Sequence, residues 1–469
     1  MSVCAAVLLA AAHIVAGSAS EATGGGSHPS GAGPPAVEHE LLWSAGIAVP
    51  DIFSIRLDRA CLDPAETESA VGGDPTGVLV AVESRTARPR VELRDAGTGE
   101  LIWRRLPGGV AGGSVFASAG PTECVVAAGS TLLIVDREGA GIASARLPGL
   151  LRSAAVRGGR ACVCVGRPET GFSDSLAVFE RRPRPGAVGH SIERVWSSEL
   201  ADHDRAFDDG FSRPVFGDTD GDGRDELVVI ERMNEAVCRT SRGEELWRVV
   251  LGEKSRFKPI GVASADPVIA DVTGDGITDV IVGCFAGAVV VLDGELGDEI
   301  ARLQFGTEAH KAHLKRRRLS SFIREALAST GEPIGELLAV ELDDVGGAEL
   351  VFGCSDGFVY AVSPRNGERL WRFQPGSDVY DRPVVERGGA GRLVLWDEEC
   401  LYVLDAATGA ELTTLPRPSI AAAAVLGWSD GDVTVATADG IARNLEVWRI
   451  NVPRTARQAN DAARSTDPE

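Results

Sequence analysis

The chain has 469 residues, of which 44% are hydrophobic, and it carries a formal net charge of −21. An acidic balance of this size argues against nucleic acid and anionic membrane surfaces as the main partners, because both are polyanions. The 56 glycines favour many tight turns over long helices.

The N-terminal segment has the character of an export signal. Residues 1–20 form an apolar run that is too short to span a membrane and is followed by small residues. Residues 21–37 are rich in Gly, Ser and Pro, which predicts a disordered linker. We therefore expect a signal peptide at 1–20, a secreted or periplasmic (extracytoplasmic) location and no integral membrane segment.

Beyond the linker, a strand–turn–strand unit recurs. Its copies include Val91 to Trp103, Val359 to Trp371 and Tyr402 to Thr413. Each has an apolar strand, a turn that contains Gly, and a second strand that ends near Trp or a substitute. Two further apolar runs precede each unit. Four antiparallel strands that repeat at intervals of roughly 40 to 70 residues are typical of the blades of a β-propeller.

The repeat predicts eight blades, with seven as the alternative. The last unit supplies only three strands, and the segment from Glu40 to Ser44 resembles an outer strand without a partner before it. We expect this N-terminal strand to close the ring, because an unpaired sheet edge exposes backbone donors and acceptors. The other seven outer strands are expected near Trp103, Ala145, Trp196, Trp247, Ala301, Trp371 and Thr413.

The expected fold class is all-β, a single propeller domain over residues 38–450 built from four-stranded antiparallel sheets. Residues 307–336 break the pattern with apolar residues at helical spacing, which predicts a helical insertion between blades five and six. The polar segment 451–469 is expected to be a disordered tail.

An acidic loop stands directly before one of the predicted strands. Asp218, Asp220 and Asp222 alternate, and Gly223 permits a sharp turn. With the carbonyl of Arg224 and the carboxylate of Glu226, they offer the oxygen ligands that Ca²⁺ prefers. The strand that follows at once distinguishes the loop from an EF-hand.

The loop recurs twice. Residues 271–279 repeat it, and the ligands there would be Asp271, Asp275, Asp279, the carbonyl of Ile277 and the Thr273 hydroxyl. Residues 341–349 form a third copy, in which Val345 replaces the middle carboxylate. We expect Ca²⁺ in the first two loops and no metal in the third; acidic turns without metal are the alternative reading.

Three predicted innermost strands begin alike, at Arg213-Pro-Val, Asp266-Pro-Val and Arg382-Pro-Val. Residues at this point of a blade ring one mouth of the central channel. Arg213, Asp266 and Arg382 are therefore expected to converge, and two guanidinium groups suit a carboxylate or sulfate ligand. A solvated rim of structural ion pairs is the alternative.

The two acidic loops resemble FG-GAP repeats of the integrin-α type, which bind calcium between blade strands; Thr273 departs from that pattern. The units from Asp95 to Trp103 and from Asp405 to Thr413 resemble PQQ-like repeats, although the second lacks the Trp. Both resemblances imply a β-propeller and say little about function.

The sequence favours a non-catalytic, monomeric scaffold that binds a protein or glycan, with Ca²⁺ as its cofactor. The segment 427–431 fits Gly-x-Ser-x-Gly but joins two predicted strands, where a nucleophile elbow is not expected. The alternatives are a calcium-containing polysaccharide lyase and a PQQ-dependent dehydrogenase. The larger dehydrogenases that the resemblance suggests hold their quinone against adjacent cysteines, and none of the nine cysteines here are adjacent.

Overall fold

The structure is a computed structural model that describes the strands and most of the loops between them. The described residues are 39–47, 52–60, 77–84, 87–107, 114–119, 123–136, 138–157, 159–166, 175–183, 190–199, 212–252, 263–305, 334–343, 345–386, 391–429 and 431–453. The signal peptide predicted at 1–20, the linker at 21–37 and residues 307–333 of the helical insertion lie outside them.

The first four blades are four-stranded antiparallel sheets that follow one another along the chain. Blade 1 contains β2 (Ile52–Ala60), β3 (Gly77–Ser84), β4 (Arg90–Asp95) and β5 (Leu101–Arg105). Blade 2 contains β6 (Val115–Ala119), β7 (Glu123–Ala128), β8 (Thr131–Asp136) and β9 (Gly141–Arg146). Blade 3 contains β10 (Leu150–Arg157), β11 (Arg160–Gly166), β12 (Ser175–Pro183) and β13 (His190–Glu199). Blade 4 contains β14 (Val215–Gly217), β15 (Glu226–Glu231), β16 (Glu235–Arg239) and β17 (Glu245–Val250).

The remaining four blades complete the ring. Blade 5 contains β18 (Val268–Ala270), β19 (Asp279–Gly283), a 3₁₀ turn (Phe285–Gly287), β20 (Ala288–Leu292) and β21 (Glu299–Gln304). Blade 6 contains β22 (Leu338–Val340), β23 (Glu349–Cys354), β24 (Phe358–Ser363) and β25 (Glu368–Phe373). Blade 7 contains β26 (Val384–Val385), β27 (Arg392–Trp396), β28 (Cys400–Asp405) and β29 (Glu411–Pro416). Blade 8 contains β30 (Ile420–Ser429), β31 (Asp432–Asp439), β32 (Asn444–Asn451) and, from the N-terminus, β1 (His39–Gly46).

The eight sheets confirm the eight-bladed propeller and exclude seven blades. Middle strands such as β15 and β19 are buried along their whole length, because both faces of a blade pack against neighbouring blades. Outer strands such as β17 alternate between exposed and buried residues. Innermost strands are only two or three residues long in blades 4 to 7 but eight or nine in blades 1 and 3.

The N-terminal strand closes the ring, as the sequence predicted. β1 runs antiparallel to β32, with His39 opposite Ile450 and Trp43 opposite Val447. Trp43 also crosses to blade 1, where its Nε1 donates to the carbonyl of Ala96 at 2.8 Å. One strand therefore completes blade 8 and fastens it to blade 1.

The same tryptophan contact recurs at other boundaries between blades. Trp371 on β25 donates from Nε1 to the carbonyl of Ala406 in blade 7 at 2.9 Å. Its ring lies so close to Gly409 that a Cβ there would stand 2.6 Å from ring atoms. Trp196 and Trp247 make equivalent hydrogen bonds to the blades that follow theirs. These four tryptophans of the outer strands, Trp43, Trp196, Trp247 and Trp371, thus each link their blade to the next one.

Two predicted boundaries need correction. Ile334 to Glu336 are not helical: Ile334 forms a β-bridge with Cys354, and the chain then leads directly into β22. Asn451 is not part of a tail, because it ends β32, and Val452 is buried with its N–H donating to the carbonyl of Gly431. Residues 427–429 end β30 and β31 begins at Asp432, so the Gly-x-Ser-x-Gly segment lies between two strands, as predicted. In the described part of the chain, no helix has the length and apolar character needed to cross a membrane.

Candidate functional site: the acidic loops and the channel mouth

The three acidic loops occupy the same place in three consecutive blades. Loop 1 (218–226), loop 2 (271–279) and loop 3 (341–349) each connect the end of an innermost strand to the next strand outward. Their first residues follow directly after β14, β18 and β22. All three therefore lie at the same end of the propeller.

Loop 1 gathers three carboxylates. Ligand oxygens of Asp218, Asp220 and Asp222 lie within 4.8 Å of one another. The loop backbone holds them in place, since the N–H groups of Gly221 and Gly223 donate to the two oxygens of Asp218 at 2.8 and 2.9 Å. A carboxylate oxygen that accepts one hydrogen bond keeps a second lone pair for a cation.

The ninth residue of each loop has a shared structural role. In loop 1, Oε2 of Glu226 accepts the N–H of Thr219 at 3.0 Å. The corresponding bonds are Val272 N–H to Asp279 Oδ2 at 2.9 Å and Leu342 N–H to Glu349 Oε2 at 2.8 Å. The cluster of three carboxylates in loop 1 does not include Glu226, which the sequence predicted as a ligand of the same cation.

In loop 3 an arginine side chain pairs with the carboxylates. Nη2 of Arg365, which follows β24, lies 2.6 Å from Oε1 of Glu349 and 3.4 Å from Oδ1 of Asp343. Those two carboxylates occupy the third and ninth positions of the loop, and Glu349 is fully buried. The second oxygen of the ninth residue in loop 3 is thus paired with a guanidinium group of the protein.

The residues of loop 1 fit a hard cation. The cluster offers oxygen atoms only, as Ca²⁺ and Mg²⁺ require. Burial raises the pKa of Glu226, and the nearby charges of Asp220, Asp222 and Asp218 raise it further. Arg224 is exposed, and its side chain lies 3.8 Å from Asp222, which is too long for a tight ion pair.

Loop 2 has the same backbone arrangement and fewer clustered ligands. The N–H groups of Gly274 and Gly276 donate to the two oxygens of Asp271. The N–H of Ile277 donates to Asp275, and Thr273 turns its hydroxyl towards Asp271 at 3.5 Å. Asp271, Asp275 and Asp279 do not bring ligand atoms within the 4.8 Å that joins the loop 1 cluster. The structure therefore favours loop 1 over loop 2 as the cation site.

The loops are also joined to one another. The hydroxyl of Thr278 in loop 2 donates to the carbonyl of Asp218, and the N–H of Ala348 in loop 3 donates to the carbonyl of Asp271 at 2.7 Å. On the other side of loop 1, Arg157 at the end of β10 pairs with Asp225 at 3.1 Å. A cation in loop 1 would therefore stiffen contacts among blades 3 to 6.

At the opposite ends of the innermost strands, the structure brings the three predicted mouth residues together. Arg213, Asp266 and Arg382 each stand two residues before an innermost strand, in blades 4, 5 and 7. Glu336 holds the equivalent position in blade 6. The four residues form an arc around the mouth, with an arginine at each end and two carboxylates between them.

Ion pairs and backbone contacts link this arc. Nη1 of Arg213 lies 3.4 Å from Oδ2 of Asp266, whose Oδ1 accepts the N–H of Arg213 at 3.2 Å. Nη2 of Arg382 lies 3.5 Å from Oε2 of Glu336. Both pairs are long and involve one nitrogen each, so the guanidinium forks keep donors for a ligand.

Burial and neighbouring charge perturb both carboxyl groups. Burial raises the pKa of Asp266, against the lowering effects of Arg213, Arg382 and Arg56. Burial and the negative charge of Asp266 raise the pKa of Glu336 to about 7, although Arg382 and Arg213 oppose that shift. The mouth therefore holds a carboxyl group that titrates near neutral pH.

A cavity of about 370 Å³ lies inside the mouth. Blades 1 to 4 give it a mainly apolar wall that includes Leu79, Phe116 and Val156. Arg56 of β2, which the sequence analysis did not identify, lines it together with Arg213, Arg382 and Asp266. Among the described residues, no carboxylate lies within salt-bridge distance of Arg56.

The sequence contains a spacing pattern from which the position of Glu336 could have been predicted. Arg213 and Asp266 each stand five residues before the first residue of an acidic loop, and Glu336 stands five residues before Glu341. The search for a Pro-Val start missed it because Leu337 replaces the proline. Arg56 lies within a long strand, where no repeat pattern marks it.

These features define an eight-bladed β-propeller with a charged channel mouth. No protein-family model and no curated protein sequence matches the chain. Solved structures share its fold. Sqt1 from Saccharomyces cerevisiae is 13% identical with a TM-score of 0.61, and the match covers 88% of this chain and 99% of that one. BamB from Moraxella catarrhalis is 15% identical with a TM-score of 0.51, covering 88% and 100%.

A europium-containing methanol dehydrogenase is also similar, at 12% identity and a TM-score of 0.54, with 87% of this chain and 93% of that one covered. At such low identities the likeness extends to the fold alone. Function must therefore be argued from the site of this chain.

Proposed function

We propose that the chain is an exported, non-catalytic binding scaffold whose channel mouth holds the acidic group of a protein or glycan. The observation that carries this proposal is the convergence of Arg56, Arg213 and Arg382 on one cavity in a chain of net charge −21. Three guanidinium groups at one mouth favour a carboxylate or sulfate ligand. The apolar wall would contact the rest of the ligand, to which the acidic group is attached.

Calcium is part of the proposal as a structural cofactor. Loop 1 would hold Ca²⁺ through Asp218, Asp220 and Asp222, with Glu226 and the carbonyl of Arg224 completing the oxygen shell. When bound, the ion neutralises the carboxylates and stiffens the loops of blades 4 to 6. Loop 2 is a weaker second site. This arrangement is what the resemblance to FG-GAP repeats implies, and an extracytoplasmic location, where calcium is abundant, is consistent with it.

The binding test compares acidic ligands with neutral ones of the same shape. Oligogalacturonate and a poly-glutamate peptide are titrated into the mature chain, beside malto-oligosaccharide and a poly-glutamine peptide. We expect binding of an acidic member and loss of at least tenfold in affinity in the double variant Arg213→Ala/Arg382→Ala. A tenfold loss corresponds to about 1.4 kcal/mol, which is modest for two charged hydrogen-bonding groups.

The matched control removes two exposed arginines elsewhere. Arg182 and Arg449 are about half exposed and lie on β12 and β32, away from the mouth. The variant Arg182→Ala/Arg449→Ala has the same net charge as the mouth variant and should bind like the wild type. Equal affinity of both double variants for the acidic ligand would contradict the proposed site.

A further inference from the structure

The two carboxylates at the mouth stand at equivalent positions on adjacent blades. Asp266 in blade 5 and Glu336 in blade 6 occupy neighbouring positions of the arc, and the side chain of each is less than one-third exposed. The negative charge of Asp266 contributes to raising the pKa of Glu336, so the two acidic groups are close enough to interact. Two like charges in a concave site repel each other, and one of them tends to keep its proton.

The arginine next to Glu336 forms only a weak ion pair with it. Arg382 is almost half exposed and reaches Glu336 through a single contact of 3.5 Å. A ligand anion that binds to Arg382 must compete with the Glu336 carboxylate for the guanidinium. The anion would also place a third negative charge beside Asp266 and Glu336.

We propose that the channel mouth takes up an anionic group together with one proton, and that Glu336 accepts this proton. The inference rests on the proposed anion-binding function and adds a residue and a linkage to it. Protonation removes the negative charge of Glu336, which relieves the repulsion of the incoming anion. Protonation also releases Arg382 from its ion pair with Glu336, so that the N–H donors of Arg382 become available to the ligand.

Glu336 suits this role better than Asp266. Charged groups face Glu336 from three neighbouring blades: Arg213 and Asp266 on one side and Arg382 on the other. Asp266 has Arg213, Arg382, Arg56 and the Arg213 N–H to stabilise its charge, and these oppose the effect of burial on its pKa. The pKa of Glu336 is raised to about 7, so its proton exchanges within the neutral range.

The sign of the linkage follows from charge. A bound anion disfavours the ionised form of Glu336, so the pKa of this group is higher in the complex than in the free protein. Affinity therefore rises as the pH falls through the interval between those two pKa values, by up to tenfold per pH unit for one proton. Below about pH 7, where Glu336 is already protonated in the free protein, the affinity levels off.

Inorganic sulfate is a suitable probe, because it stays fully ionised across neutral pH. Isothermal titration of sulfate into the full chain between pH 6 and 9, in two buffers of different ionisation enthalpy, measures affinity and proton uptake together. We expect uptake approaching one proton above pH 7 and tighter binding on the acidic side. Glu336→Gln should bind sulfate with no proton uptake, and at pH 8 more tightly than the wild type.

Glu40→Gln is the matched control, because Glu40 is exposed and lies on β1, the outermost strand of blade 8, away from the innermost strands that form the mouth. It should retain the wild-type profile. Sulfate binding without proton uptake in the wild type would overturn this inference and leave the proposed function intact. Sulfate binding that is absent, or that survives unchanged in Arg213→Ala/Arg382→Ala, would overturn the proposed function itself. The proton count of the wild type decides the question even if the Gln variant does not fold.

Discussion

Arg365 lies with Nη2 2.6 Å from Oε1 of Glu349, so a guanidinium occupies loop 3 where we assign Ca²⁺ in loop 1. Glu349 is fully buried, and its other oxygen accepts the N–H of Leu342. In loop 3 a side chain thus pairs with the carboxylate of the ninth residue, whereas in loop 1 we propose that an ion from solvent does so.

Removing Arg365 should be costly. Arg365→Ala would leave the Glu349 carboxylate buried without its cation, and breaking a buried pair in this way costs about 3–5 kcal/mol. We expect this loss in urea-induced unfolding. Calcium should not restore the stability, because Val345 stands where loops 1 and 2 have a carboxylate. Arg365→Lys keeps the charge and should lose clearly less; an equal loss in both variants would contradict the ionic role.

Calcium should stabilise the folded chain through loop 1. At about a hundred times Kd, a ligand that binds only the folded state adds roughly 2.7 kcal/mol, which corresponds to a shift of a few degrees in Tm. We expect this shift between Ca²⁺ and excess EDTA, and its loss in Asp220→Ala. Asp343→Ala, the same change in loop 3, should lower Tm but keep the shift. A chain that melts identically in Ca²⁺ and EDTA would contradict the metal site.

The sequence predicted the architecture well because the repeat has a strong local signature. The Gly turn and outer-strand Trp marked most blades, and the unpaired segment around Trp43 indicated which strand closes the ring. These features depend on contacts that recur at fixed spacing, so one copy helps to interpret another.

The sequence was less informative about the site, because the site depends on which blades meet. Arg365 lies in an ordinary turn after β24, and only the fold brings it to Glu349. Glu336 was assigned to the insertion, since Leu337 hides its equivalence to Arg213 and Asp266. The ninth carboxylates of loops 1 and 2 were read as ligands, whereas in all three loops this carboxylate accepts a backbone N–H of its own loop.

The tryptophan contacts between blades give a prediction that separates the cost of disturbed packing from the cost of backbone strain. Gly409 has φ +68° and lies against the Trp371 ring, whereas Gly159 has φ +77° with open space where a Cβ would be. Alanine at either site incurs the backbone cost of a positive φ, about 1 kcal/mol. Gly409→Ala must also displace Trp371, so we expect it to lose a further 1–3 kcal/mol or so in urea unfolding. Equal losses would show that the ring does not fix the boundary between blades.

Glu336 also makes the stability of the fold depend on pH. Its pKa is raised to about 7 in the folded chain, from an ordinary value of 4.5, chiefly by burial. The folded state therefore holds the proton more tightly than the unfolded state does. The resulting stabilisation is fully present below pH 4.5 and is lost as the pH rises through about 7.

We therefore expect the free energy of unfolding to fall between pH 5 and pH 8 by roughly 1–3 kcal/mol more in the wild type than in Glu336→Gln. Urea unfolding across this range measures the difference, and subtracting the variant's profile removes the contributions of other groups, including Asp266. Glu40→Gln, an exposed glutamate changed in the same way, should follow the wild type. Parallel profiles for the wild type and Glu336→Gln would mean that Glu336 is ionised throughout, because only a proton bound more tightly in the folded state produces this slope.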